Sequence, residues 1–355
     1  MNILVINTAK KGGRAKCAYH ISKNLSSIRN CSFTIVYPSK SDNLEQWEKV
    51  RCNELMSIDF HSKNLKVVLE SIFEIIKLSR RKFDRIIFTA THPLTPLYIS
   101  FFESEKTDII IHDPIVKLDD KFFDKKILYS FYFYLANTYV ERYSKRLTLL
   151  SKTFCNYYEN KYPKKKINYM PHGVFDYFVR YEKVKKYDIC FAGRITKYKG
   201  LSLLIDAVSI LENKYSVVIA GSGNDPRLHE IKQMDNYCVM NEWISDELMS
   251  DIISHSRIVV LPYLSASQSG VITLAHAAAV PVITTDVGGL SEQVAHMDTG
   301  LVIKSGDVRE LVSSIDMLLK NESLLESMVR ACLLHRESLA WPAITKEYID
   351  NLMVE

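Results

Sequence analysis

A chain of 355 residues with 47% hydrophobic and 25% charged side chains is too long for one ordinary core and has a globular balance, which excludes the disordered and low-complexity classes. A net charge of +5 dispersed along the sequence excludes nucleic acid as the main partner but leaves anionic small molecules and lipids open. No apolar run reaches the roughly 18 residues that span a bilayer, and the seven cysteines, never in a CxxC pair, indicate neither a disulfide framework nor a zinc ribbon.

The first segment, MNILVINTAKKGG, passes from an apolar run directly into a glycine turn. It lacks the basic start, apolar centre and small-residue cleavage site of a signal peptide, so a cytoplasmic location is expected. Short apolar runs then recur at 33–38, 85–90 and 108–113, and again at 188–193, 216–221, 257–262 and 281–286, with helical stretches between them. Strand alternating with helix predicts parallel α/β sheets. Two sets of strands predict two domains with a cleft, divided within NYMPHGVFDYFVRYEKVKKYD (168–188). The expected bounds are 1–175 for the first domain and 186–335 for the second. Two amphipathic helices follow Asp307, and then SLAWPAITKEYIDNLM places Trp341, Ile344, Tyr348 and Leu352 at helical spacing. A final helix over 336–355 is expected to return to the first domain.

In open parallel sheets ligands sit beyond the carboxyl ends of the strands, so the loops there are where chemistry is sought. Gly12 and Gly13 follow the first run and precede a helical pattern, an arrangement that lets backbone N–H groups approach an anion, or that forms a plain turn. In FAGRITKYKGLSLLIDA, Arg194 and Lys199 stand at the mouth of a strand. A guanidinium fork and an ammonium point charge suit a diphosphate, although a solvated basic loop has the same spacing. SASQSGVITLAHAAAVPVITTDVGG (265–289) overlaps a run from Ile252 to Thr285 that holds no Asp or Glu. Its Ser, Gln and Gly residues precede a helix of small side chains, and the N–H groups of Ser269, Gly270 and Val271 form an expected anion nest. Gly288 and Gly289 mark another such turn. His92, His112 and His172 lie near strand ends or turns, where a lone histidine is as readily structural. The aromatic and basic stretch 121–146 reads either as a core helix with a solvated face or as a surface for anionic lipid. DxD, HExxH, GxSxG and GxxxxGK[ST] patterns are absent, so no metal site is expected.

The order of these motifs resembles that of the family-4 retaining glycosyltransferases. The resemblance rests on NTAKKGGRAKCAYHIS, IIIHDP, MPHGVF, YDICFAGRITKYKGLSLLIDA, VVIAGSGND, NEWISDELMSDIISHSRIVVLPYLSASQSGV and PVITTDVGGLSEQV, and covers nearly the whole chain. It implies an α/β fold of the GT-B type, with two Rossmann-like domains facing across a cleft. It also implies a nucleotide-sugar donor, a glycan or lipid-linked acceptor, no cofactor and no metal. Carried onto this chain, it makes Arg194 and Lys199 the donor-diphosphate cations, Gly13 a backbone contact near the sugar, and His112 a group beside the donor sugar. Gly221 and Ser222, with Trp243 and Ile244, match the region that frames the nucleotide base. The family commonly has two glutamates around the helix that opens near Gly270. Gln268 stands near the first position, and Leu274 or Ala275 occupies the second.

The implied reaction is transfer of a hexose with retention, in the synthesis of a bacterial surface polysaccharide, by a protein peripheral to the inner face of the membrane. A nucleotide-sugar epimerase and a non-catalytic scaffold subunit are the competing readings.

Overall fold

The computed structural model describes residues 1–41, 44–112, 114, 126–174, 181–182, 184–212 and 214–354, with the side chains of 126–133 and 337 outside that description. The chain divides into two units: Met1–Pro171 together with Trp341–Glu355, and His172–Ala340. Part of the 168–188 tract, residues 175–180 and 183, lies outside the described residues.

The first unit holds seven parallel strands: β1 (Asn2–Ile6), β2 (Ser32–Pro38), β3 (Glu54–Ile58), β4 (Arg85–Phe88), β5 (Thr107–Ile111), β6 (Arg146–Leu149) and β7 (Lys166–Tyr169). Their order is β3-β2-β1-β4-β5-β6-β7. The second unit holds β8 (Tyr187–Ala192), β9 (Val217–Ala220), β10 (Tyr237–Met240), β11 (Ser256–Leu261), β12 (Val282–Thr285) and β13 (Gly300–Ile303), in the order β10-β9-β8-β11-β12-β13. In each sheet the chain winds outward from its first strand and then reverses direction, the doubly wound Rossmann pattern. The reversal leaves a crevice between β1 and β4, and another between β8 and β11.

Parallel strands are buried on both faces, and strict side-chain alternation shows it. Ile189, Phe191, Val217, Ile219, Ile258, Val260 and Ile283 point to a core shared with the Leu201–Ile210 and Val308–Lys320 helices. Cys190, Ala192, Val218, Ala220, Val259, Leu261 and Val282 point to the other core, shared with the Asp246–Ser254 and Gly270–Ala277 helices. The eight apolar runs of the sequence are β1, β2, β4, β5, β8, β9, β11 and β12. The other five strands escaped detection for a physical reason. Four of them, β3, β7, β10 and β13, are sheet edges, and β6 lies next to an edge and carries Arg146 and Thr148. An edge strand needs no continuous apolar run, and β10 is only partly buried along its length.

The C-terminal helix, Trp341–Met353, belongs to the first unit, where it packs on the Gly12–Leu25 helix and Trp341 stacks on His20 at 5.4 Å. Its Tyr348 hydroxyl donates to the Asp108 carboxylate, which also accepts from Thr148 Oγ1 at 2.8 Å. Asp108 is wholly buried, and burial raises its pKa while both hydroxyls oppose that rise. The second oxygen of Asp108 has no side-chain hydrogen-bond partner among the described residues, so the tyrosine carries much of the compensation, with smaller help from Arg146 and the Ile109 backbone. Tyr348→Phe is therefore expected to destabilise the first unit by about 1–3 kcal/mol, read by urea unfolding. An unchanged midpoint would show that the hydroxyl is dispensable.

Candidate functional site

The crevice between β8 and β11 is built by backbone packing. Gly221 and Gly223 adopt φ of 146° and 154°, and a Cβ on either would lie 1.9 Å from the carbonyl oxygen of Gly193 or of Ile195. The loops after β8 and β9 thus lie main chain against main chain. Ile195 N–H donates to Ser222 O at 2.9 Å, and Asn224 N–H donates to Ile195 O at 3.1 Å. Gly221 and Ser222 hold the loop that carries Arg194. The guanidinium of Arg194 is exposed and has no hydrogen bond or ion pair among the described residues.

Gly200 (φ 72°) joins a short 3-10 turn, Lys197–Lys199, to the Leu201–Ile210 helix. A side chain there would place Cβ 2.0 Å from Pro262 O, so the loop after β8 touches the loop after β11 directly. Leu264 N–H donates to Tyr198 O at 2.8 Å. Lys199 Nζ sits 3.6 Å from the centroid of the Tyr263 ring, a cation–π contact that directs its charge. Tyr263 is fully buried, which raises its pKa, and its hydroxyl lies 3.4 Å from Ser269 Oγ.

Ser269 precedes the Gly270–Ala277 helix in an extended conformation without capping it through its side chain. Here the structure corrects the expected nest. Ser269 N–H is taken by Gln293 Oε1 at 2.8 Å, while Gln293 Nε2 donates to Ser269 O at 3.2 Å. The carboxamide works as a short strand clamping the entry to the helix. Gly270 and Val271 remain as the first-turn N–H groups without an intrahelical acceptor. Gly288 approaches the same loop, its ideal Cβ 1.8 Å from Ala266 O, and Gly289 N–H donates to Ser267 O at 3.0 Å. Gln268 keeps Oε1 buried without a hydrogen-bond partner among the described residues. Leu274 and Ala275, further along that helix, both pack into the core.

Trp243 is 73% exposed beyond β10, whereas the Ile244 side chain is buried in the core of the second unit. Arg194, Lys199, Gly221, Ser222, Trp243 and 268–271 therefore share the carboxyl edge of one sheet. Gly12, Gly13 and His112 belong to the first unit. Gly12 needs its φ of 74°, and neither glycine meets an atom within 4 Å of an added Cβ. His112 is buried after β5, with Nε2 donating to Thr89 O at 2.9 Å. His172 is buried and bonds Gly173 O through Nδ1. Gln293 and Tyr263 carried no signal in the sequence, because their partners lie 24 and 64 positions away.

The same helix carries His276, which is buried against the Glu322–Ser338 helix with its ring 5.4 Å from that of His335. Among the described residues neither ring nitrogen makes a hydrogen bond of ordinary geometry. Burial, reinforced by His335, lowers its pKa to about 3, with the Thr299 backbone pulling weakly the other way.

Residues 186–321 match the family model described as Glycosyl transferases group 1. The chain is 27% identical over 197 residues to a D-inositol 3-phosphate glycosyltransferase of an Arthrobacter species, covering 47% of this chain and 45% of that one. It is 29% identical over 148 residues to the capsular polysaccharide biosynthesis glycosyltransferase CapM of Staphylococcus aureus, covering 39% and 38%. These matches span less than half the length of either relative. Among solved structures, HepE of Anabaena in complex with UDP superposes with a TM-score of 0.72 at 13% identity, covering 99% of both chains. The fold is GT-B.

Gly200→Ala is expected to lower the stability of the second unit by more than about 2 kcal/mol, because it combines a left-handed backbone with a backbone clash. Differential scanning calorimetry reads this, and a wild-type profile would refute the close approach. His276 binds its proton more readily in the unfolded chain than in the fold. Its contribution is full above the unfolded pKa near 6.5 and is lost as pH falls toward about 3. His276→Phe should therefore flatten the loss of stability between pH 6.5 and 4, and an unaltered pH slope would count against it.

Proposed function

We propose that this protein is a retaining glycosyltransferase, moving a hexose from a nucleotide-diphosphate sugar to a glycan or lipid-linked acceptor in surface polysaccharide synthesis. One observation carries the reading. At the crevice of the second unit, a guanidinium without a partner among the described residues and a ring-held ammonium stand on the loop packed against the loop that opens a helix N-terminus. From Ile252 to Thr285 no carboxylate opposes them. This arrangement suits a departing diphosphate. The family match over 186–321 and the UDP bound by HepE support it.

In this mechanism Arg194, Lys199 and the N–H groups of Gly270 and Val271 stabilise the charge that develops on the leaving diphosphate. The acceptor hydroxyl attacks from the face the diphosphate leaves, through an oxocarbenium-like transition state; the anomeric carbon–oxygen bond to the diphosphate breaks, the departing phosphate oxygen takes the hydroxyl proton, and configuration is retained. Gln268 Oε1 accepts from a sugar hydroxyl, and Trp243 stacks on the base. Cations and a helix dipole take the part that a metal ion plays in other transferases.

Action at the inner face of the membrane draws on the Lys126–Tyr143 helix, where Tyr134, Leu135 and Tyr139 are exposed. Residues 121–125 of the aromatic stretch lie outside the described residues, as do the side chains through 133. Among the described residues no helix is long and apolar enough to cross a membrane.

Thermal-shift screening of nucleotide-sugars should find one that raises Tm, with nucleoside diphosphate released only when acceptor is present. Arg194→Ala and Lys199→Ala should each lower kcat about 100-fold or more, and Gln293→Ala should weaken UDP about tenfold by loosening the helix entry. Activity should persist in EDTA, and product NMR should show the donor's anomeric configuration. Sugar epimerisation without acceptor, or no response to any nucleotide-sugar, would overturn the reading.

A further inference from the structure

The crevice of the first unit, between β1 and β4, has its own cluster of nitrogen donors. His61, in the loop after β3, donates from Nε2 to Thr8 O at 2.9 Å, so its ring is fixed beside the turn that follows β1. The His92 ring, in the loop after β4, meets the His61 ring edge to face at 4.9 Å. His92 Nδ1 accepts from Leu94 N–H at 3.2 Å, which places the neutral ring's proton on Nε2. That N–H has no acceptor among the described residues, and neither has the half-buried guanidinium of Arg14 in the first turn of the Gly12–Leu25 helix. The space above Gly12 and Gly13 is open.

The charges that reach the two imidazoles are those of Lys10, Arg14 and Asp59, together with each other. Asp59 is already engaged, by Lys40 Nζ at 2.7 Å and by His61 N–H at 3.1 Å. Burial first, then His61 and Arg14, lower the pKa of His92 to about 4, and burial likewise lowers that of His61. Lys10 and Arg14 thus bring positive charge to the two rings, and Asp59, the carboxylate among the described residues that reaches them, is already paired with Lys40.

We propose that Arg14, His61 and His92, with the first-turn N–H groups of the Gly12–Leu25 helix, bind a phosphate group carried by the acceptor. The proposal rests on the glycosyltransferase reading, in which Arg194, Lys199 and the Gly270–Ala277 helix of the second unit already answer the donor's diphosphate. An acceptor of this class is a sugar phosphate or a phosphate-linked lipid, and Arg14 supplies the fork for its oxygens.

Imidazole-nitrogen NMR of the full chain, titrated with sodium sulfate against chloride at equal ionic strength, tests the site without any acceptor. Sulfate keeps its charge across the range. His61 and His92 should shift saturably, and the exposed His229 and His296 of the second unit should not. The pKa of His92 should rise by a unit or more with sulfate bound. Sulfate should therefore bind more tightly at pH 5 than at pH 7, because an anion favours the protonated rings. Arg14→Gln should weaken sulfate about tenfold. Unmoved imidazoles, or an Arg14→Gln chain that binds sulfate as the wild type does, would overturn the site. UDP forms the second arm. If UDP alone moves His92, the anion is the donor's and the assignment to the acceptor is overturned. UDP stabilisation of the second unit, followed by the same spectra, reports separately on the glycosyltransferase reading.

Discussion

A carbonyl oxygen occupies the place where a side chain at Gly200 would begin. The contact with Pro262 leaves only hydrogen on that carbon, and everything at the crevice of the second unit follows from it. Because the loops after β8 and β11 touch there, Lys199 lies over Tyr263, Leu264 bonds Tyr198 O, and Tyr263 reaches Ser269 at the start of the Gly270–Ala277 helix. A cation and a helix N-terminus, 70 positions apart in sequence, are connected through one aromatic ring. Gly221, Gly223 and Gly288 repeat the device, each admitting a carbonyl oxygen to within 1.9 Å of its missing Cβ.

Both units place nitrogen donors at the reversal of a doubly wound sheet, where two adjacent loops diverge and leave backbone groups open. The second unit uses permanent charges and first-turn N–H groups, a combination suited to a diphosphate at any physiological pH. The first uses imidazoles whose protons depend on what stands beside them, together with Arg14. The proposed transfer then has two anionic substrates met by two kinds of donor, one fixed and one responsive.

Much of the fold was legible because buried parallel strands leave continuous apolar runs, and all eight runs are strands. Those that left no run are mostly edges, whose exposed positions tolerate polar residues, as Glu54 does in β3. The loops that carry Arg194, Lys199 and Gly270 were legible as strand-end loops from their glycines and their order. No local pattern marks the Ser269 N–H as taken, because its acceptor, Gln293 Oε1, lies 24 positions away. Ile244, which the resemblance matches to the region framing a nucleotide base, has its side chain buried in the core.

By itself the sequence determined two sets of alternating strands and helices, the glycine turns at strand ends, and a carboxylate-free segment beside two cations. These are local properties, set by side-chain periodicity, backbone freedom and charge. Tertiary structure alone decided that Gln293 clamps Ser269, that Tyr263 carries Lys199, that Tyr348 compensates Asp108, and that His61 meets His92. Each of those pairs is joined by a hydrogen bond or a ring contact between residues far apart in the chain. Such contacts exist only once the sheet order has brought the loops together, and no local pattern encodes them.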